Sequence, residues 1–177
     1  MKPLVILSDI NGLFLPQIIT STDNLNKYNE IHQLDSLTLA GLHDKKDKEN
    51  SHQYLINKGI DEAANALVLK YPNGIAVGLG LSIGGAILWR AIGKGLNVDY
   101  LLCFSSTRLR FETTKHLCRT TLYFGELDSY RPDQLWFQKL NLKENVLSGQ
   151  GHEFYLSQLA LDIFSTELQN FYREPRA

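Results

Sequence analysis

The stretch that most restricts this chain is Ile75-Ala76-Val77-Gly78-Leu79-Gly80-Leu81-Ser82-Ile83-Gly84-Gly85, followed by Ala86-Ile87-Leu88-Trp89-Arg90-Ala91-Ile92. An apolar run meets a G-x-S-x-G turn, and apolar residues at helical spacing follow. That pattern predicts a strand, a sharp turn and a helix. A serine on so tight a turn has a strained backbone. Side chains two residues to either side would collide with it, so glycine is needed at both places. The strain pushes the Ser82 hydroxyl outward. The first N–H groups of the following helix then point at any anion formed beside it.

The rest of the chain supplies similar units. Residues 3–7 form a short apolar run, as in a strand buried on both faces. A helix is expected within 17–28, and an alternating strand at 34–39. Tyr54, Leu55, Ala63, Ala64, Leu67, Val68 and Tyr71 fall on helical spacing, which Tyr71-Pro72-Asn73-Gly74 ends. Strands are predicted at 75–79, 99–104, 120–124 and 144–147, with helices at 83–92 and 133–140. Phe154, Leu156, Leu159, Ala160, Ile163, Phe164, Leu168 and Phe171 lie on one stripe of a last long helix. Alternating strands and helices imply a mainly parallel sheet covered on both faces. A length of 177 residues suits one domain spanning 1–177 with a real core.

Charge excludes some functions. A net charge of −1 leaves no footprint for nucleic acid or an acidic membrane. The densest charged run, at 44–49, nearly cancels itself and reads as a solvated loop. No stretch is long and apolar enough to span a bilayer. The apolar start meets Ser8-Asp9 too early for a signal peptide. The two cysteines, Cys103 and Cys118, read as reduced and inert, so a cytoplasmic location is expected. No CxxC pair or His–Glu helix motif points to a metal, and no cofactor is implied.

A lone serine hydroxyl is a poor nucleophile. It needs a base, and the base needs an orienting group. Candidates follow later strands: Gly125-Glu126-Leu127-Asp128 after Phe124, and Gly149-Gln150-Gly151-His152 after Leu147. In a parallel sheet all carboxyl ends point to one edge, so Ser82, Asp128 and His152 would share a rim. Other readings stand beside this one. Ser82 could be a turn residue, Asp128 a turn or cap residue, and His152 a cap or surface residue. Glu126 competes as the acid. Gly78, Gly80 and Gly84 also echo a dinucleotide fingerprint, but Asp99 begins the next strand where that reading needs an acid at its end. His32, His43, His52 and His116 read as surface residues. Tyr130, Trp136 and Tyr155 read as core or rim, and Gly84 and Gly85 as packing glycines.

The order Ser…Asp…His is that of α/β-hydrolases. With G-L-S-I-G-G, G-E-L-D-x-x-x-P, G-x-G-H-E-F and the opening Ser8-Asp9-Ile10-Asn11-Gly12, the chain resembles a small α/β-hydrolase of the dienelactone hydrolase-like branch. The resemblance implies Ser82 as nucleophile, His152 as general base and then acid, and Asp128 as orienter. It implies an oxyanion hole from the N–H groups of Ile83 and Ile10. A full-length family sheet has eight strands; here the first two are expected to be absent. About six strands remain, in the order 2-1-3-4-5-6. The loop after the first strand lacks the His-Gly pair of lipases. Asp9 stands there instead, either bonding backbone amides or helping catalysis. Only a short segment lies between Phe104 and Arg119, where a cap domain would sit, so the site is expected to be open.

The function expected is a serine hydrolase cleaving a small acyl ester or thioester, with a carrier-bound acyl group as an open alternative substrate. From another class, a non-catalytic binding or regulatory module would keep the same fold and triad.

Overall fold

The computed structural model describes residues 2–14, 30–42 and 52–173. The helix expected within 17–28, the charged run at 44–49 and His43 lie outside these residues.

Six parallel strands form one sheet in the order β2-β1-β3-β4-β5-β6. The strands are β1 (Leu4–Leu7), β2 (Ile31–Leu34), β3 (Ile75–Leu81), β4 (Val98–Phe104), β5 (Arg119–Gly125) and β6 (Asn145–Leu147). The expected order and parallel pairing are both observed. β1 and β3 are continuous apolar runs because both faces of each are covered by other elements.

The period of two sorts side chains between two cores. Val5, Leu7, Leu101 and Cys103 face one way. They meet α1 (Ser36–Leu39), α2 (Ile60–Lys70), α3 (Ile83–Gly93) and α4 (Gln134–Lys139). Leu4, Ile6, Leu102 and Phe104 face the other way, against Phe164 and Leu168 of α5 (Gln158–Arg173).

Three expectations need correction. Residues 34–39 are not a strand: β2 ends at Leu34 and α1 begins at Ser36. Asp35 caps that helix by accepting from the Thr38 N–H at 2.8 Å. An aspartate at N-cap competes with extended backbone, and it wins here over the alternating pattern. The C-terminal stripe is not one helix. His152–Leu156 is a 3-10 turn, and extended backbone at Ser157 separates it from α5. Within α5, Leu161 is buried while Leu159 is 40% exposed. Finally, two histidines expected at the surface are only partly exposed: His32 lies with Nδ1 2.8 Å from the Tyr71 hydroxyl, and His116 is half-buried. The His116 ring packs on Trp89 at a centroid distance of 4.9 Å, and its buried Nε2 has no hydrogen-bond partner among the described residues.

One further contact ties α5 to the sheet. Glu167 accepts the hydroxyls of Tyr100 at 2.5 Å and Tyr123 at 2.7 Å, from β4 and β5.

Candidate active site

β3 ends at Leu81, and Ser82 then takes φ 50 and ψ −112 before α3 begins at Ile83. That is left-handed backbone on a residue with a Cβ, a conformation of real cost that persists when the surroundings over-determine it. The surroundings are close backbone. A Cβ on Gly80 would lie 2.2 Å from the Gly85 Cα. A Cβ on Gly84 would lie 2.8 Å from the Leu7 carbonyl oxygen at the end of β1. The motif glycines therefore let the first turn of α3 sit against the ends of β1 and β3. The clash they avoid is with neighbouring elements rather than with the serine itself.

The Ser82 hydroxyl lies 3.0 Å from Nε2 of His152. His152 stands just beyond β6, at the start of the 3-10 turn. Its Nδ1 lies 2.6 Å from Oδ2 of Asp128. A carboxylate only accepts, so Nδ1 carries the proton and Nε2 is left to accept the Ser82 O–H. The Asp128 side chain is 2% exposed and that of His152 37%, so the carboxylate lies beneath the imidazole and the imidazole faces solvent. The second carboxylate oxygen of Asp128 accepts the Tyr130 N–H at 3.1 Å. The structure thus brings together three side chains that follow β3, β5 and β6, on the edge that parallel strands share.

The competing acid turns elsewhere. Glu126 is exposed and accepts the Ser148 hydroxyl and the Gly149 N–H, both at 2.8 Å. These bonds hold its carboxyl below the ordinary range. Asp99 pairs with Lys2 at the start of β4, far from the serine turn along the strand direction.

Ile83 is the first residue of α3, so its N–H has no acceptor within the helix. Ile10 sits in the loop after β1, and Asp9 shapes that loop. One Asp9 oxygen accepts the N–H groups of Asn11 at 2.8 Å and Leu13 at 2.7 Å. The other accepts the Tyr155 hydroxyl at 3.0 Å. Burial and the Asp9 charge raise the Tyr155 phenol well above its ordinary range, so it stays a donor. The Tyr155 ring also meets the His152 ring edge-on, with centroids 6.0 Å apart.

Two contributors were missed in the sequence. Ser105, directly after β4, is buried with φ 50 and donates its hydroxyl to the His152 carbonyl. Tyr155 is buried, in keeping with the expected core or rim position, but nothing in the sequence signals its bond to Asp9. The signal for Ser105 was faint: two serines close an apolar strand at the rim that carries Ser82. Among the described residues, no group of three or more metal-binding side chains is clustered.

No family model and no curated protein matches the chain. Solved structures do resemble it. One is an α/β-hydrolase enzyme from a metagenome of lagoon sediments at Mar Chica, Morocco: TM-score 0.65, 15% identity, covering 97% of this chain and 90% of that one. An α/β serine hydrolase homologue from Coxiella burnetii is similar at TM-score 0.61 and 13% identity, covering 95% of this chain and 84% of that one. The type II thioesterase BorB of the borrelidin biosynthetic cluster gives TM-score 0.59 and 13% identity, covering 99% of this chain and 94% of that one. The fold of this chain is the α/β-hydrolase fold.

Proposed function

We propose that this chain is a serine hydrolase that cleaves a carboxylic ester or thioester through an acyl-enzyme on Ser82. The observation that carries the reading is the relay of 3.0 Å and 2.6 Å from Ser82 through His152 to Asp128. The α/β-hydrolase fold and neighbours that include a type II thioesterase support it.

The steps follow from the geometry. Ser82 Oγ attacks the carbonyl carbon while His152 Nε2 takes its proton. The carbonyl oxygen becomes an oxyanion, stabilised by the N–H groups of Ile83 and Ile10; losing one such donor typically costs about 10²–10³ in turnover. His152 then returns the proton to the departing alcohol or thiol as the C–O or C–S bond breaks. Water attacks the acyl-enzyme, passes a proton to His152, and releases the acid as Ser82 regains its hydrogen. Asp128 holds the tautomer and stabilises the imidazolium without taking its proton.

A panel of short acyl esters and acyl-thioesters tests this reading. Turnover that Ser82→Ala removes supports it. A folded wild-type protein inert on the whole panel favours the binding-module alternative.

A further inference from the structure

A cavity of about 470 Å³ lies between the 3-10 turn Thr107–Phe111 and the segment leading into α4. It falls within the range of about 300–1,000 Å³ usual for small-ligand sites. None of Ser82, Asp128 or His152 lines it. Both of its walls nevertheless leave the sheet at the catalytic rim. One begins three residues after β4, the other three residues after Asp128.

The lining is amphiphilic. Phe111, Leu135 and Trp136 supply apolar surface, and Phe111 and Leu135 are 60% and 63% exposed. Large apolar side chains left open beside a cavity mark a binding surface. Arg110, Arg131 and Lys139 supply positive charge. Arg131 is engaged by Glu144 at 2.7 Å. The acids in the lining are also engaged: Glu112 pairs with Arg90 at 2.7 Å, and Asp133 caps α4 through the Trp136 N–H at 2.8 Å. Arg110 differs. Its Nη1 bonds only backbone carbonyls, those of Thr107 at 2.9 Å and Tyr130 at 3.3 Å. Its guanidinium also stacks 4.3 Å from the Phe111 ring centroid. The other guanidinium nitrogens can still donate, in a fork that suits phosphate or carboxylate. Arg108 also lies over the same ring, 5.1 Å from its centroid. Burial and the neighbouring Arg110 lower its guanidinium from the ordinary range, as expected where cations crowd.

We propose that this cavity is a subsite for the anionic end of an amphiphilic substrate, with Arg110 and Lys139 taking a phosphate or carboxylate while Phe111, Leu135 and Trp136 cover the apolar part. The link to chemistry rests on the hydrolase reading. Arg110 holds the Tyr130 carbonyl, and the Tyr130 N–H holds Asp128. The segment that lines the cavity is thus bonded to the carboxylate that meets His152.

Trp136 lines the cavity and Trp89 packs behind it, with ring centroids 6.3 Å apart, so a change in tryptophan fluorescence reports on ligand entry. Hexyl phosphate, hexanoate and hexanol are titrated against wild type, Arg110→Gln and Lys139→Gln. One or both anions should bind saturably, with hexanol at least about tenfold weaker. Each substitution should weaken the anion about tenfold or more while leaving hexanol unchanged. Binding of hexyl phosphate alone assigns the site to phosphate, and of hexanoate alone to carboxylate. Equal binding of anion and alcohol overturns the proposal, as does no binding or no response to either substitution. The exposed Lys139 keeps the test open should Arg110→Gln not fold. The titration needs no turnover, so its failure leaves the reaction assignment standing, and an inert enzyme leaves the subsite standing.

Discussion

The Tyr155 hydroxyl reaches an Asp9 carboxylate oxygen at 3.0 Å, joining the loop after β1 to the segment that carries His152. Both side chains are buried. Asp9 also gathers the N–H groups of Asn11 and Leu13 around the Ile10 backbone. On the proposed reading it positions the Ile10 N–H as an oxyanion donor. Asp9→Ala should destabilise the fold by about 1–3 kcal/mol, chiefly through the Tyr155 hydroxyl left buried without its acceptor, since Asn11 and Leu13 are exposed. In protein that still folds, kcat should fall by up to about 10²-fold with little change in KM. Tyr155→Phe keeps both backbone bonds, so its loss should be the smaller. Denaturant melts and steady-state kinetics on both variants check this, and a change confined to KM counts against it.

Asp128 sets the tautomer of His152 from beneath the imidazole. Asp128→Asn keeps the shape but removes the acceptor charge. A loss of about 10⁴ in kcat is expected, with the melting temperature little changed. Glu126→Gln should leave kcat near wild type, because Glu126 faces the Ser148–Gly149 turn. Parallel kinetics on the two variants separate the acids.

His116 predicts a pH dependence of stability. Burial against Trp89 lowers its imidazole below the ordinary value, against weaker opposing effects from a hydrogen bond to the Trp89 backbone and from the Glu112 charge. The unfolded chain therefore binds this proton first as pH falls. The contribution is complete above the unfolded value of about 6.5 and is lost as pH drops through it toward the folded value. His116→Phe removes this part of the slope. Thermal melts between about pH 5 and 8 should show a flatter profile for the variant, and identical slopes would contradict the assignment.

Much of this fold was legible because each β–α unit announces itself locally. Glycines flank Ser82, Asp133 opens α4, and Tyr71-Pro72-Asn73-Gly74 closes α2. Parallel topology then places residues 82, 128 and 152 at one edge without any knowledge of side-chain contacts. The errors share a cause. At 34–39 the capping bond of Asp35 overrides the alternating pattern. At the C-terminus the stripe ran across Ser157, whose hydroxyl bonds the Phe154 carbonyl and interrupts the helix. His116, Ser105 and the Asp9–Tyr155 contact depend on packing between distant segments, which no periodicity encodes. The cavity was equally hidden, because Arg110 and Lys139 stand far apart in the chain and come to line one space only through the fold.

Acyl transfer at this site requires that the Ser82 hydroxyl be an activated nucleophile. A fluorophosphonate probe followed by peptide mass spectrometry asks this directly. The wild type should carry one adduct, on Ser82. His152→Ala should react far more slowly, and Ser82→Ala not at all. A folded wild type that stays unlabelled, or that carries the adduct on another residue, would contradict the account.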